Sequence, residues 1–381
     1  QVSGKYPIRQ SGRGHLPSPG WTGGYDWTGY VDVDDYPYVM DPPAGYLYTA
    51  NNRTIPPGQG PVLSSSWYAP ERAERIIEML ENTHQHTFQD SVRMQRDRTD
   101  VMVKKFKAVL FEPAFLGEVQ KRIRSWKDGD KIKKAGEALE ILESFNGDML
   151  PESKGAAVMA IFQRVFIRQV FLDELGPPSS PAWQSFIAAI QAVYSADQDH
   201  LLGRPDSPFW DNINTPEKET KPDIIACSLA DTIDYAEAHL GKDRANWRWG
   251  RLLTYEWRTQ TTQMKEYLPA LQRFGVRMIG HYTDRGPYAA GGDYNTLNVA
   301  GYLKGENFNV WLVPAMRMVV DFGLDEPMFL TNSSGQSGNP ASGHYDDAIP
   351  FWLKGEPRSM PFKDGNIKAQ YNRVYVLKPN H

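Results

Sequence analysis

Two asparagines and an arginine close the run "GYLYTANNR", residues 45–53. A carboxamide donates a hydrogen bond without titrating. Asn51 or Asn52 at the end of an extended run could therefore hold a developing oxyanion, a contact that contributes several kcal/mol in a dry site. Side-chain amides also close Asx turns after strands, and composition leaves both readings open. A second concentration of polar groups is "SSGQSGNPASGHYDDAIPFWLKG", residues 333–355, which includes His344. Gly, Ser, Asn and His gathered after an apolar run suit a site loop on a rigid strand, and equally a hydrogen-bonded structural loop. His84 and His86 have the H-x-H spacing of a metal pair but read better as solvated imidazoles between helices. The carboxylates of "DVDD", residues 32–35, lack the alternating oxygens and closing Glu of a calcium loop. Trp247 and Trp249 of "NWRWG" are pocket walls or core anchors. No GxxxxGK[ST], HExxH or GxSxG occurs, and "GGDYN" lacks the spacing of a dinucleotide site.

The chain that must position these residues has 381 of them, 40% hydrophobic and 12% aromatic, enough for one large core or two smaller ones. A net charge of −4 gives no electrostatic reason to expect nucleic acid or an anionic membrane. One cysteine, Cys227, excludes an intrachain disulfide and a cysteine metal cluster. Membrane spans are not expected, because charges and amides interrupt the apolar runs. The opening "QVSGKYPIRQ" lacks an initiator Met and reads as a strand already under way, so a processed or excised chain is expected.

Residues 1–66 are dense in Gly, Pro, Trp and Tyr, the composition of ordered loops and short strands. Helical spacing begins at 69–81, where Pro70 suits a first turn and Ile76, Ile77 and Leu80 supply the apolar face. It continues over 88–111, 115–126, 131–145, 156–176, 182–202 and 223–240, so residues 67–260 read as a mostly helical block. From about 261 the signal turns to short β-rich runs, "FGVRMIGHY", "FNVWLVPAMRMVVDFG", "MFLTN" and "NRVYVLK". Strands, then helices, then strands predict an α+β fold whose two ends meet in one sheet system.

With these residues in view, the chain resembles the penicillin acylase family of N-terminal nucleophile hydrolases. The likeness is carried by "IRQSGRGHLPSPGWTGGYDWTGY", "GYLYTANNR", "WYAPERAERI" and "ESKGAAVMAIFQRVF". It continues in "NWRWG", "RGPYAAGGDYNTLNVAGY", "RMVVDFG" and "GQSGNPASGHYDDAIPFWLKGE", in the family's order over nearly the whole chain. The resemblance implies a four-layer αββα sandwich with a large helical insertion, of which this chain is the C-terminal part of the β chain. It also implies partners: an α chain, and an N-terminal β-chain segment that carries the nucleophilic Ser, whose own α-amino group is the base. Periplasmic export or secretion is implied too.

The resemblance places the family's side-chain oxyanion donor at Asn51, or at Asn52 if the register slips by one. Arg72 matches a family arginine that supports the site; it cannot act as a base near neutral pH. A cation in the first turn of a helix is not favoured by the helix dipole, which fits a purpose outside the helix. Relatives carry an Asp linked to precursor processing where Asn295 stands, and Asp293 is the nearby carboxylate. No cofactor is implied, and the family's calcium ligands have no clear carboxylate counterpart near Pro61. The implied substrates are N-acyl-homoserine lactones and acylated β-lactams. Two rival readings remain at this stage: a catalytically inactive scaffold of the same fold, and a carbohydrate binder, which predicts exposed Trp21 and Trp27.

Overall fold

The structure is a computed structural model that describes residues 4–64, 67–83, 85–263, 268–371 and 373–379. Its first strands, β1 (Pro7–Arg9) and β2 (Trp27–Tyr30), pair antiparallel with Pro7 opposite Tyr30. The rest of the first seventy residues is turns and extended backbone. Residues 45–50, expected as a strand, form none; only an isolated parallel bridge joins Asn52 to Tyr68. Extended residues count as a strand only when a neighbour takes their N–H and C=O groups, and among the described residues none lies beside this run.

The helices are α1 (Glu71–Glu81), α2 (Phe88–Met94), α3 (Val101–Leu110), α4 (Pro113–Ser125), α5 (Gly129–Ser144) and α6 (Lys154–Leu175), followed by α7 (Pro181–Ala188), α8 (Ile190–Leu202) and α9 (Lys221–Leu240). Caps set several boundaries. Thr87 and Asp90 form a reciprocal capping box that starts α2, and the Asp100 carboxylate accepts from the Met102 N–H to start α3. The end of α2 at Met94 and the new start at Asp100 split the single helix expected over 88–111. Ala189, without a side-chain cap, leaves helical backbone angles and divides the stretch expected over 182–202.

Helix α6 is the axis of the block and lies against α5 and α9. It is long and apolar enough by length and composition to cross a membrane, which the sequence reading did not anticipate. Here it is buried in protein, with Val158, Ile161, Phe162, Val165 and Phe166 in the core. Phe106, Phe162, Phe166 and Trp210 form a continuous run of ring contacts through that core. Truncating Phe162 to Ala would cost about 3–5 kcal/mol through lost burial and a residual cavity.

The C-terminal part holds β3 (Thr254–Trp257), α10 (Gln260–Gln263), α11 (Ala270–Thr283), β4 (Arg285–Ala289), β5 (Met316–Val320), β6 (Met328–Asn332), α12 (Ile349–Lys354), β7 (Ser359–Met360) and α13 (Asp364–Gln370). Strands β3 and β4 pair antiparallel, and β5, β6 and β7 make a three-stranded antiparallel sheet. Among the described residues each end of the chain builds its own sheet. "FGVRMIGHY", expected as a strand, lies in α11. Val276 and Met278 alternate, but Phe274, Met278 and Tyr282 recur every four residues, and that helical stripe prevails. The described residues of "NRVYVLK" make no strand.

Candidate active site

Asn51 follows the buried Ala50 and takes a left-handed backbone conformation, φ +62°. Asparagine tolerates that conformation better than most residues because its short polar side chain can hydrogen-bond locally. Its own carbonyl accepts from the Tyr68 N–H at 3.1 Å. Its side-chain oxygen accepts from Arg72 Nη2 at 3.0 Å, and the same nitrogen donates to the Ala50 carbonyl at 2.7 Å. A guanidinium has only donors, so the carboxamide oxygen must face it and the Nδ2–H₂ must face away. Asn51 is exposed, and its Nδ2 has no hydrogen-bond partner among the described residues.

Asn52 is arranged differently. Its Oδ1 accepts from the Ala50 N–H at 3.1 Å and its Nδ2 donates to the Arg53 carbonyl at 3.2 Å. Both ends of that amide are used on the backbone of its own turn, one residue ahead and two behind.

Arg72 stands at the start of α1, half-buried, with its guanidinium carbon 5.3 Å from the centre of the Tyr68 ring. Burial lowers its pKa, and Tyr294 and Tyr68 oppose that effect. Tyr68 in turn stacks on Tyr294 at 5.6 Å and 18°, and Tyr294 on Tyr194 at 4.3 Å and 29°. Trp67, Tyr68, Ala69, Arg72, Tyr294 and Asn295 line a narrow crevice beside Asn51.

The loop that supplies Tyr294 and Asn295 is held from below. Gly292 has φ +83°, and a Cβ there would meet the Asn298 carbonyl oxygen at 2.3 Å, so only glycine fits. Asp293 Oδ1 accepts from the Asn295 N–H at 2.8 Å, and Thr296 Oγ1 donates within the same turn. The Asn298 N–H donates to the Asp97 carbonyl at 2.8 Å, and the Asp97 carboxylate takes a two-pronged bond from Arg75 of α1 at 2.9 and 2.7 Å. The crevice wall and α1 are therefore joined.

Beneath the loop Asp100 and Asp293 are fully buried next to each other. Burial raises the pKa of both, and the charge of Asp293 raises that of Asp100 further. Two adjacent buried carboxyls hold a proton between them more readily than two charges. Lys304 Nζ lies 2.6 Å from Asp197 Oδ2, with both side chains out of solvent, and 4.2 Å from the centre of the Tyr194 ring.

Of the candidate residues, Asn51 and Arg72 are in direct contact, and Asn295 joins Arg72 in the crevice wall. Asn295 is buried, and its Nδ2 has no partner among the described residues. Asp293 sits behind that wall against Asp100. His344 is exposed and bonds Asp347 within its own loop at 3.1 Å. That loop is pinned by Gly335 N–H to the Tyr345 carbonyl, by Ser337 N–H to the His344 carbonyl, and by the Arg285–Asp346 pair. His84 lies outside the described residues, and His86 bonds the Leu80 carbonyl. Asp32 caps a short turn through the Asp34 N–H. Trp247 and Trp249 are core anchors. Among the described residues no group of three His, Cys, Asp or Glu side chains could hold a metal ion. A larger open cavity, about 790 Å³, lies away from Asn51 between α6 and α9, with Arg164, Arg168, Asp231 and Tyr235 in its walls.

Sequence reasoning missed Tyr68, Tyr294, Asp100, Asp197 and Lys304. The signal nearest to hand was "WYAPER", an aromatic just ahead of a helix start. Nothing in the sequence marks the pairing of Lys304 with Asp197.

Comparison with known proteins bears on this geometry. Residues 1–369 match the family model described as penicillin amidase. The acyl-homoserine lactone acylase QuiP of Pseudomonas aeruginosa is 48% identical over 380 residues, covering 100% of this chain and 45% of that protein. The QuiP of Pseudomonas putida is 43% identical over 380 residues, again covering 100% of this chain and 45% of its own length. The chain thus spans about half the length of the curated relatives it matches. A thermostable penicillin G acylase from Alcaligenes faecalis superposes with a TM-score of 0.56 at 14% identity, over 99% of this chain and 64% of that one, which shows a shared fold. That fold is the N-terminal nucleophile hydrolase arrangement expected from the resemblance.

Proposed function

The chain belongs to the penicillin amidase family, and from that premise we propose that it carries the oxyanion-stabilising part of an amide hydrolase whose nucleophilic Ser lies on another segment of the enzyme. The observation that carries the reading is the bond from Arg72 to the Asn51 carboxamide oxygen, which leaves the amide N–H₂ as an outward donor. An amide fixed this way needs no reorganisation when a tetrahedral oxyanion forms, which is what makes such donors effective.

In the proposed reaction the Ser hydroxyl attacks the scissile carbonyl carbon while the α-amino group of the same Ser takes its proton. An amine with a pKa of about 8 suits that task near neutral pH. Negative charge moves to the carbonyl oxygen, where Asn51 Nδ2–H donates to it. Collapse expels the amine, protonated by the ammonium, and leaves an acyl-enzyme. Water, deprotonated by the free amine, then releases the acid and restores the Ser. Arg72 holds the amide and contributes positive potential nearby; it transfers no proton.

The substrate class proposed is N-acyl-homoserine lactones, after the activity named for the Pseudomonas relatives, with acylated β-lactams as the second class. The partners proposed are the acylase α chain and the N-terminal β-chain segment, and the compartment is the periplasm or the exterior. No step draws on a cofactor or metal.

The carbohydrate reading takes its support from Trp21 and Trp27, 89% and 60% exposed. The same stretch also exposes Leu16, Val33, Val39, Met40, Leu47 and Val62. Sugar platforms use aromatic faces, whereas a mixed aliphatic and aromatic surface suits protein contact, so contact with another segment of the enzyme is preferred to sugar binding. The inactive-scaffold reading is tested by intact mass and N-terminal sequencing of the native preparation: a companion chain beginning with Ser supports the enzyme.

The decisive experiment is Asn51→Ala in the complete enzyme, assayed on N-acyl-homoserine lactones. Turnover falls by about 100-fold or more, with circular dichroism unchanged. Unchanged turnover would remove Asn51 from the oxyanion role.

A further inference from the structure

Tyr68 touches everything that holds Asn51. Its backbone N–H donates to the Asn51 carbonyl at 3.1 Å, which fixes the peptide just after the left-handed residue. Its ring lies under the guanidinium of Arg72, the group that orients the Asn51 amide. Its other contacts run inward. The ring stacks on Tyr294, Tyr294 stacks on Tyr194, and the Tyr194 ring lies 4.2 Å from the buried Lys304 ammonium that pairs with Asp197. Hydrogen bonds from Tyr294 and Gln191 stabilise the Tyr68 phenol oxygen and lower its pKa.

An exposed amide tethered to one flexible guanidinium would swing with it. A long arginine side chain has four rotatable bonds, and its position is defined only as well as its surroundings define it. Here one face of the guanidinium rests on a ring, and that ring belongs to a stacked column rooted in the core. A cation over an aromatic face is attracted by the ring's negative face, which favours one arginine placement over the others.

We propose that Tyr68 is a positioning residue for this site: its ring, stacked on Tyr294, sets the place of Arg72 and through it the direction in which the Asn51 amide donates. The proposal rests on the reading of Asn51 as the oxyanion donor. It assigns Tyr68 no contact with substrate. Removing the ring therefore lowers kcat and leaves KM nearly alone, because misdirection is felt only where charge develops.

The test is steady-state kinetics of the complete, processed enzyme on N-acyl-homoserine lactones for Tyr68→Leu, Tyr68→Phe, Asn51→Ala and the Asn51→Ala/Tyr68→Leu double variant. Tyr68→Leu loses about tenfold in kcat with KM within about threefold, a loss of the size that small misplacements cause. Tyr68→Phe keeps the ring and stays within about threefold of the parent in kcat. In the Asn51→Ala background Tyr68→Leu costs less than about twofold more, since nothing is left to aim. If Tyr68→Leu gives no folded enzyme, Tyr68→Met is judged by the same two criteria. Unchanged kcat in Tyr68→Leu overturns the proposal alone, and so do losses that multiply in the double variant or a tenfold fall in Tyr68→Phe. A harmless Asn51→Ala overturns the oxyanion reading, and the positioning role falls with it.

Discussion

At the scale of the residue, two neighbouring asparagines with the same chemistry have different work. The sequence presents them as a pair of amides and cannot separate them, because what separates them is where their bonds go. Asn52 spends both ends of its amide on the backbone of residues 50 and 53, whereas Asn51 gives only its oxygen, to Arg72. Asn52→Ala should therefore cost about 1 kcal/mol of stability, the worth of an ordinary hydrogen bond, and lower the melting temperature with kcat nearly unchanged. Asn51 needs a sharper control, since its φ of +62° strains most side chains. Alanine there removes the amide and adds about 1–2 kcal/mol of backbone strain, but glycine removes the amide without strain. Asn51→Gly should match the turnover loss of Asn51→Ala while melting at a higher temperature. If kinetics show that glycine restores turnover, backbone strain rather than the amide would be what alanine disturbs.

At the scale of the element, periodicity was enough for the helical block. Apolar residues at i, i+3, i+4 and i+7 marked α6 although its first turns are buried all round, from Ala156 to Gln163, and caps such as Ser153 and Asp100 are themselves local signals. The misses have equally physical causes. The 45–50 segment has strand composition, but pairing is a property of two segments. Helix α11 carries both an alternation and a four-residue repeat, and short windows cannot rank them. The loop of Tyr294 was legible as a glycine-rich turn, but its foundation was not, because Asp100 and Asp293 are far apart in sequence and meet only in the fold. That buried pair makes a prediction about pH. Burial raises both carboxyl pKa values above the unfolded 3.8. Each group held protonated in the fold gives stability that is full below that unfolded value and is lost as pH rises through the folded one. The share of stability that this pair supplies should accordingly decline as pH rises above about 4, in proportion to the protons the unfolded chain releases first. Asp293→Asn, which keeps the shape and removes one titrating group, should therefore gain in melting temperature relative to the parent as pH rises, read in paired series of thermal melts. An unaltered slope would mean that the pair is ionised in the folded protein.

At the scale of the whole molecule, the exposed apolar groups are organised rather than scattered. Met316, Met318 and Val320 alternate along β5 and so line one face of its sheet, each 42–50% exposed. Phe274, Met278 and Tyr282 form a stripe on α11, and the first sixty residues expose aliphatic and aromatic side chains together. Exposed apolar groups gathered in this way mark interaction surfaces, since leaving them in water costs about 25 cal/mol per Å², and another segment of the enzyme is the partner that fits the proposed function. The helical block has the opposite character: most of its tryptophans and phenylalanines are buried within the chain or packed against its core, which suits a unit that folds without a partner. The two halves should then respond differently to assembly. The chain produced by itself should keep its helical circular dichroism yet bind an apolar dye and self-associate in light scattering. Co-production with the remainder of the enzyme should abolish both effects and leave the helical signal as it was. A lone chain that stays monomeric and ignores the dye would show that these faces are satisfied in water and are not where another segment of the enzyme packs.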